Sequence, residues 1–294
     1  MRDFDENNIT DAVLESFAKT PDARLKQIVS RLTHHLHAFV RDVEPTFDEW
    51  LAAIQFLTRT GQMCSPTRQE FILLSDTFGV SMLVDAINHR LPEGATETTV
   101  LGPFYVDNAP AFALGADISA GMEGQPLYAE GSIASADGAP LAGAAVDVWQ
   151  SDDDGFYDVQ APDPSKLSLR GRFKTDAEGR YRFWSIVPAF YPIPNDGPVG
   201  EMLVATARHP FRPAHVHFMI RAPGFETLVT HVFVPGDRYL DSDAVFGVKN
   251  SLVGDFIEKP AGTKAPDGRE MTTSWKHLTY NFGLKRAASP ARAA

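Results

Sequence analysis

The periodicity of this chain changes once, near residue 100, and that change sets its architecture. Before it, apolar residues recur every three or four positions. After it, short alternating or β-branched segments are separated by turn dipeptides such as Asp137-Gly138 and Glu178-Gly179. A helical period buries a stripe and a strand period buries a face, so the two halves must pack differently. In the first, Leu25, Ile28, Val29, Leu32, Leu36, Phe39, Val40 and Val43 predict one buried stripe, with Thr20 as N-cap and Pro21 as the first helical residue. Thr46 and Glu49 make a capping box ahead of Trp50, Leu51, Ile54 and Leu57, with Gly61 as a stop. Ser65 and Pro66 are expected to open a third helix through Phe71, Leu73 and Leu74, broken at Gly79 before Leu83, Val84 and Ile87.

Strands are predicted over residues 128–135, 144–150, 171–175, 180–186, 201–207, 214–221, 227–234 and 272–280. Their spacing favours a sandwich over a parallel sheet with crossover helices. The fold class is therefore mainly β: a β-sandwich domain, residues 101–284, preceded by an α-helical N-terminal domain, residues 1–100. Residues 285–294 have no apolar period and read as a disordered tail.

A hydrophobic content of 44% supports a sizeable core, and a net charge of −11 argues against binding a phosphate backbone. The single cysteine, Cys64, rules out an internal disulfide and suits a reducing compartment. The acidic start has no apolar segment of a secretory signal, and no run is long enough to span a membrane. The expectation is a soluble cytoplasmic protein with no nucleic-acid partner.

Chemistry concentrates around RPAHVHFMI, residues 212–220. Alternation puts His215, His217 and Met219 on one strand face and Val216, Phe218 and Ile220 on the other. Two imidazoles at i and i+2 can converge on one ion; they also occur as a hydrogen-bonded pair. No cysteine lies near enough to make a zinc-thiolate site, so further ligands would be carboxylates or phenolates. Asp152, Asp153 and Asp154 before Gly155 read first as a solvated turn, with a calcium loop as the alternative. Tyr157 follows that turn, and Tyr191 sits in a loop stiffened by Pro188, Pro192, Pro194 and Pro198. If both phenols reach the histidines, anionic oxygen donors favour a hard trivalent ion such as Fe(III).

The stretches LGPFYV (101–106), GAPLAGAAVDVWQSDDDGFYD (138–158), LRGRFKTDAEGRYRFWSIVP (169–188), the Tyr191 loop and RPAHVHF (212–218) resemble, in order, those of the intradiol ring-cleaving dioxygenases. The helical third is similar to that of the catechol and hydroxyquinol branch, most like the hydroxyquinol members. The resemblance implies a catalytic sandwich and a helical dimerisation domain, a homodimer, and a phospholipid held in a tunnel at the dimer interface. It implies Fe(III) held by Tyr157, Tyr191, His215 and His217, and a small aromatic diol or triol cleaved with O2 to a muconate that keeps both oxygen atoms. Arg212 would stabilise charge on the ring, and Tyr191 would leave the iron and accept a substrate proton. Where catechol-cleaving relatives commonly carry glutamine, this chain has His231, which would tune the same surroundings.

For the ring pocket the resemblance implies Leu73, Asp76, Val100, Leu101, Gly102, Pro103, Phe104, Ile193, Arg212 and Val245. Asp76 matches the hydroxyquinol branch, and a carboxylate beside an apolar slot suits a third ring hydroxyl that can donate to it. Benzene-1,2,4-triol is the expected substrate. Catechol or chlorocatechol is the alternative within the family, and a metal-free binding module, suggested by GAPLAGAAVDVW and KTDAEGRYRF, is the alternative outside it.

Overall fold

The computed structural model describes residues 2–65, 68–161, 163 and 167–288; Pro66 and residues 289–294, the outer part of the expected tail, lie outside them. The chain forms two compact units, Met1–Arg59 and Thr60–Ala294. The first carries α1 (Ile9–Ser16), α2 (Ala23–Val43) and most of α3 (Phe47–Gln62). α1 has no counterpart in the sequence expectations. It is tied to α2 through Thr10 Oγ1 and His37 Nδ1 at 3.0 Å, and through Arg41, which donates to the Glu6 carbonyl.

The N-cap of α2 is Asp22 rather than Thr20, because its carboxylate accepts the otherwise orphaned Leu25 N–H at 2.8 Å. The α3 capping box forms as expected between Thr46 and Glu49. The α2 stripe is a correction. Leu25, Ile28, Leu32, Leu36, Phe39, Val40 and Val43 form one apolar face, but that face is exposed, as are Trp50, Leu51, Ile54 and Leu57 on α3. The period fixes which side is apolar and says nothing of what covers it.

In the second unit α4 (Glu70–Thr77) starts later than the expected Ser65, after a short Ser65–Arg68 bridge. It breaks from α5 (Val80–Asn88) at Gly79, whose φ of +70° needs a residue without a Cβ. The sandwich follows: β1 (Pro126–Ser135), β2 (Ala145–Gln150), β3 (Arg170–Lys174), β4 (Arg180–Ile186), β5 (Tyr191–Pro192), α6 (Pro198–Ala205), β6 (Phe211–Arg212), β7 (His215–Arg221), β8 (Leu228–Phe233), β9 (Asp255–Lys259), β10 (Trp275–Thr279) and β11 (Phe282–Leu284). The predicted strand at 201–207 is instead α6. Pro198 opens it at the first helical position, and Val199 and Leu203, four apart, bury one face.

One sheet is built on β1, with β4 antiparallel along one edge and β10, then β11, parallel along the other; β9 pairs with β10. The other runs β3-β2-β7-β8, all antiparallel. Leu127, Ile133, Phe183 and Leu278 from the first meet Val146, Val148, Val216, Phe218, Ile220 and Val232 from the second in one core. The alternate positions of the second sheet face away from that core, and the chemistry stands on them. Among the described residues no helix is long and apolar enough to cross a membrane.

Candidate active site

Sheet register lays out the site. His231 on β8, His217 on β7, Trp149 on β2 and Arg170 on β3 occupy one row of cross-strand partners, and His215 stands beside His217 opposite Phe233. The predicted alternation holds: Val216, Phe218 and Ile220 enter the core, and His215 and His217 stand on the other face, each 1% exposed. The two-residue ladder of β5 and β6 pairs Tyr191 directly with Arg212. Tyr157 reaches the row from the turn after β2. Its approach depends on Gly155, where a Cβ would stand 2.7 Å from the Phe190 carbonyl oxygen.

The polar atoms then converge. Tyr157 OH lies 2.9 Å from His217 Nε2, and His217 Nε2 lies 3.1 Å from His215 Nε2. His215 Nδ1 is 2.7 Å from the Pro213 carbonyl, which can only accept, so Nδ1 carries the proton and Nε2 the lone pair. Arg212 Nη1 donates to Tyr191 OH at 3.5 Å, and Nη2 faces His231 Nδ1 at 3.3 Å. His215, His217 and His231 offer nitrogens within 4.8 Å of one another. A flat ring lies on each of three members: Trp149 on His217 at 4.5 Å, Phe104 on Tyr157 at 4.3 Å and His231 on His215 at 4.4 Å between centroids. Such stacking holds ring planes fixed without using up a lone pair.

Electrostatics prepare these groups to bind a cation. Burial above all, with the positive charge of Arg212 behind it, holds His215 well below the usual imidazole pKa; burial and neighbouring imidazoles do the same for His217 and His231. They are neutral, the form with a lone pair to give. Burial pushes the Tyr157 phenol well above its ordinary value, and Tyr191 adds to this while Arg212 and Arg170 oppose it. A hard trivalent ion fits this set. It would take the imidazole lone pairs and supply the charge that a buried phenolate otherwise lacks.

The ring-pocket candidates divide. Leu73, Ile193 and Val245 pack in one buried cluster with Val199, Leu203 and Ala244, and Val100 lies against it. Asp76, three residues after Leu73 and on the same face of α4, is 8% exposed and interacts with Arg212. Gly102 borders His217, and Phe104 is the ring over Tyr157. Leu101 and Pro103 are exposed and have no place in these clusters. The carboxylates at 152–154 serve a turn: Asp152 Oδ1 accepts from the backbone of Asp154 and Phe156.

Two acids were not legible as site residues. Asp158 pairs with Arg170, whose Nη1 also donates to the Phe104 carbonyl at 3.0 Å, tying the Tyr157 turn to β3 and the Phe104 loop. Its adjacency to Tyr157 was the only signal. Asp243 pairs with Arg212 through a loop that has no period at all.

A dioxygenase family model matches residues 100–286, and a model of the catechol dioxygenase N terminus matches residues 22–96. The chain is 55% identical over 263 residues to 6-chlorohydroxyquinol 1,2-dioxygenase of Cupriavidus pinatubonensis, covering 90% of this chain and 95% of that one. It is 53% identical to hydroxyquinol 1,2-dioxygenase of Rhodococcus opacus, covering 95% and 93%. The crystal structure of hydroxyquinol 1,2-dioxygenase from Pseudomonas putida superposes with a TM-score of 0.90 at 49% identity, covering 96% of this chain and 99% of that one.

Proposed function

The chain belongs to the intradiol ring-cleavage dioxygenases, and from that premise we propose that it cleaves benzene-1,2,4-triol with O2 between its adjacent hydroxylated carbons, giving 3-hydroxymuconate. Both oxygen atoms enter the product, so ring and O2 balance with no external reductant. Tyr157, Tyr191, His215 and His217 would hold Fe(III), which when bound supplies an electron sink that lets ring carbon react with O2.

The protein residues have separate tasks. Tyr191, held beside Arg212 by the β5–β6 ladder, takes a proton from the diol as it enters. Arg212, 2% exposed, places a fixed positive charge where negative charge grows on the ring; in a site so poor in water such a charge is little screened by solvent. Leu73, Ile193 and Val245 exclude water from the slot. His231, stacked on His215, accepts from Arg212 through Nδ1, which puts its proton on Nε2.

The observation that carries the substrate reading is Asp76, a buried carboxylate beside Leu73 on the wall that Arg212 also meets. The third hydroxyl of the triol gives it a donor from the substrate in addition to Ser81, whereas catechol offers it none. Relatives named for hydroxyquinol support the same choice. Steady-state turnover of the triol and of catechol, with one O2 consumed per ring, tests it. Catechol turned over at least as fast as the triol overturns it.

The exposed apolar faces of α2 and α3 fit a homodimer formed through the helical region 1–100, with a phospholipid tail as a further apolar occupant between the copies.

A further inference from the structure

The Arg212 guanidinium distributes its hydrogen bonds unequally. Nε donates to Asp243 Oδ1 at 3.1 Å and Nη2 to Asp243 Oδ2 at 3.2 Å, while Nη1 alone is turned to Tyr191 OH. Both side chains are 2% exposed. A planar guanidinium bound by two of its nitrogens to two carboxylate oxygens has its last torsion fixed, and the remaining edge is aimed with it.

Asp243 is itself anchored. Its oxygens accept from the backbone N–H of Val245 at 3.3 Å and of Gly247 at 2.9 Å. Ala244 N donates to the Phe211 carbonyl, next to Arg212 on β6, and Arg208 grips the Ala244 carbonyl at 3.1 Å. Gly247 permits the close approach: a Cβ there would stand 2.9 Å from Arg212 Nη2 and 3.1 Å from Asp243 Oδ2. The backbone of Arg212 is already placed by its ladder with Tyr191, so the carboxylate adds the orientation of the charged end.

We propose that Asp243 is a positioning residue for the ring cleavage, holding two nitrogens of Arg212 so that Nη1 faces Tyr191 and the bound diol. This rests on Arg212 acting on the ring as described above. Asp243 also screens part of the Arg212 charge, so a merely electrostatic account predicts faster chemistry without it, and a positioning account predicts slower.

Two substitutions perturb the pair differently. Asp243→Asn removes the charge and one acceptor at nearly constant shape; Gly247→Ala wedges the pair and keeps both groups. Each is made in the wild type and in Arg212→Gln. The measurements are kcat and KM with the triol, iron content, and the spectrum of 4-nitrocatechol bound without O2. For Asp243→Asn, kcat is expected to fall roughly a hundredfold, and for Gly247→Ala about tenfold. KM and iron content stay within about threefold, and the bound nitrocatechol loses part of its dianion absorption. In Arg212→Gln either second change costs less than about threefold more.

Wild-type kcat in both single variants overturns the proposal, as does a full additional loss in Arg212→Gln. If Asp243→Asn does not fold, Gly247→Ala carries the same comparison. Wild-type kcat in Arg212→Gln overturns the role of Arg212 and this proposal together. A wild-type protein that prefers catechol overturns only the substrate reading, and the same comparisons are then made with catechol.

Discussion

Phe104 lies on Tyr157 with ring centroids 4.3 Å apart and 24° between planes, and the covered ring is the one whose hydroxyl meets His217. The contact places the phenol oxygen while leaving it free for a cation. It separates what the Tyr157 ring contributes to packing from what its oxygen contributes to chemistry.

Tyr157→Phe keeps the stacked ring and removes only the oxygen. The variant is expected to fold with a melting temperature near that of the parent, to lose most of its turnover, and, when iron-loaded, to show a weaker and shifted red ferric-phenolate absorption, which Tyr191 alone would then supply. Visible spectra, iron analysis and oxygen uptake measure this. Removing iron from the parent with a chelator and a reductant should bleach the same band.

Arg170→Ala leaves the buried Asp158 side chain without its cation and frees the Phe104 carbonyl. Breaking a buried pair of this kind costs about 3–5 kcal/mol. Urea unfolding should report that loss, with weakened iron binding because the Tyr157 turn is no longer tied to β3.

Asp76→Asn tests pocket and pH dependence together. Burial raises the Asp76 carboxyl above its usual 3.8, Ser81 and Arg212 oppose this, and Asp243 adds to it. The native chain therefore holds this proton more tightly than the unfolded one, and ionising it costs stability as pH rises from 3.8 through the raised native value. The Asn variant should melt higher near neutral pH, with the gap closing below 3.8. Its preference for the triol over catechol should fall by about tenfold or more. An unchanged ratio of kcat/KM values assigns the third hydroxyl elsewhere.

Leu32→Glu with Leu36→Glu puts two charges on the exposed face of α2. Sedimentation should find the parent at twice its 32.2 kDa chain mass and the variant at the chain mass.

The β7 strand was legible because one residue in two had to be apolar, and a period of two leaves its other face equally defined. His231 was reachable by counting around the β7–β8 hairpin, since it is the register partner of His217. α6 was misread because its β-branched and small residues suit a strand, and one buried pair, Val199 and Leu203, is too short a period to outweigh them. Asp243 was hidden for another reason: its partner lies 31 residues away, on the far side of the β7–β8 hairpin in sequence, and only packing in three dimensions joins them. The module reading had no such excuse in the helices, and it gave way to enzyme relatives that match 90% of the chain or more.

The place of β1 has a consequence for the order of events in synthesis. It is the first strand made, yet its parallel neighbours β10 and β11 are the last, with Leu127 waiting for Lys276 and Ile133 for Phe282. Contacts so distant in sequence close slowly and only after nearly the whole chain has left the ribosome. Until then β4 alone pairs with β1, and the other edge of the strand stays open to wrong partners. The helices can form early, and the strands that carry the chemistry, β2, β3, β7 and β8, are all made before those that close β1.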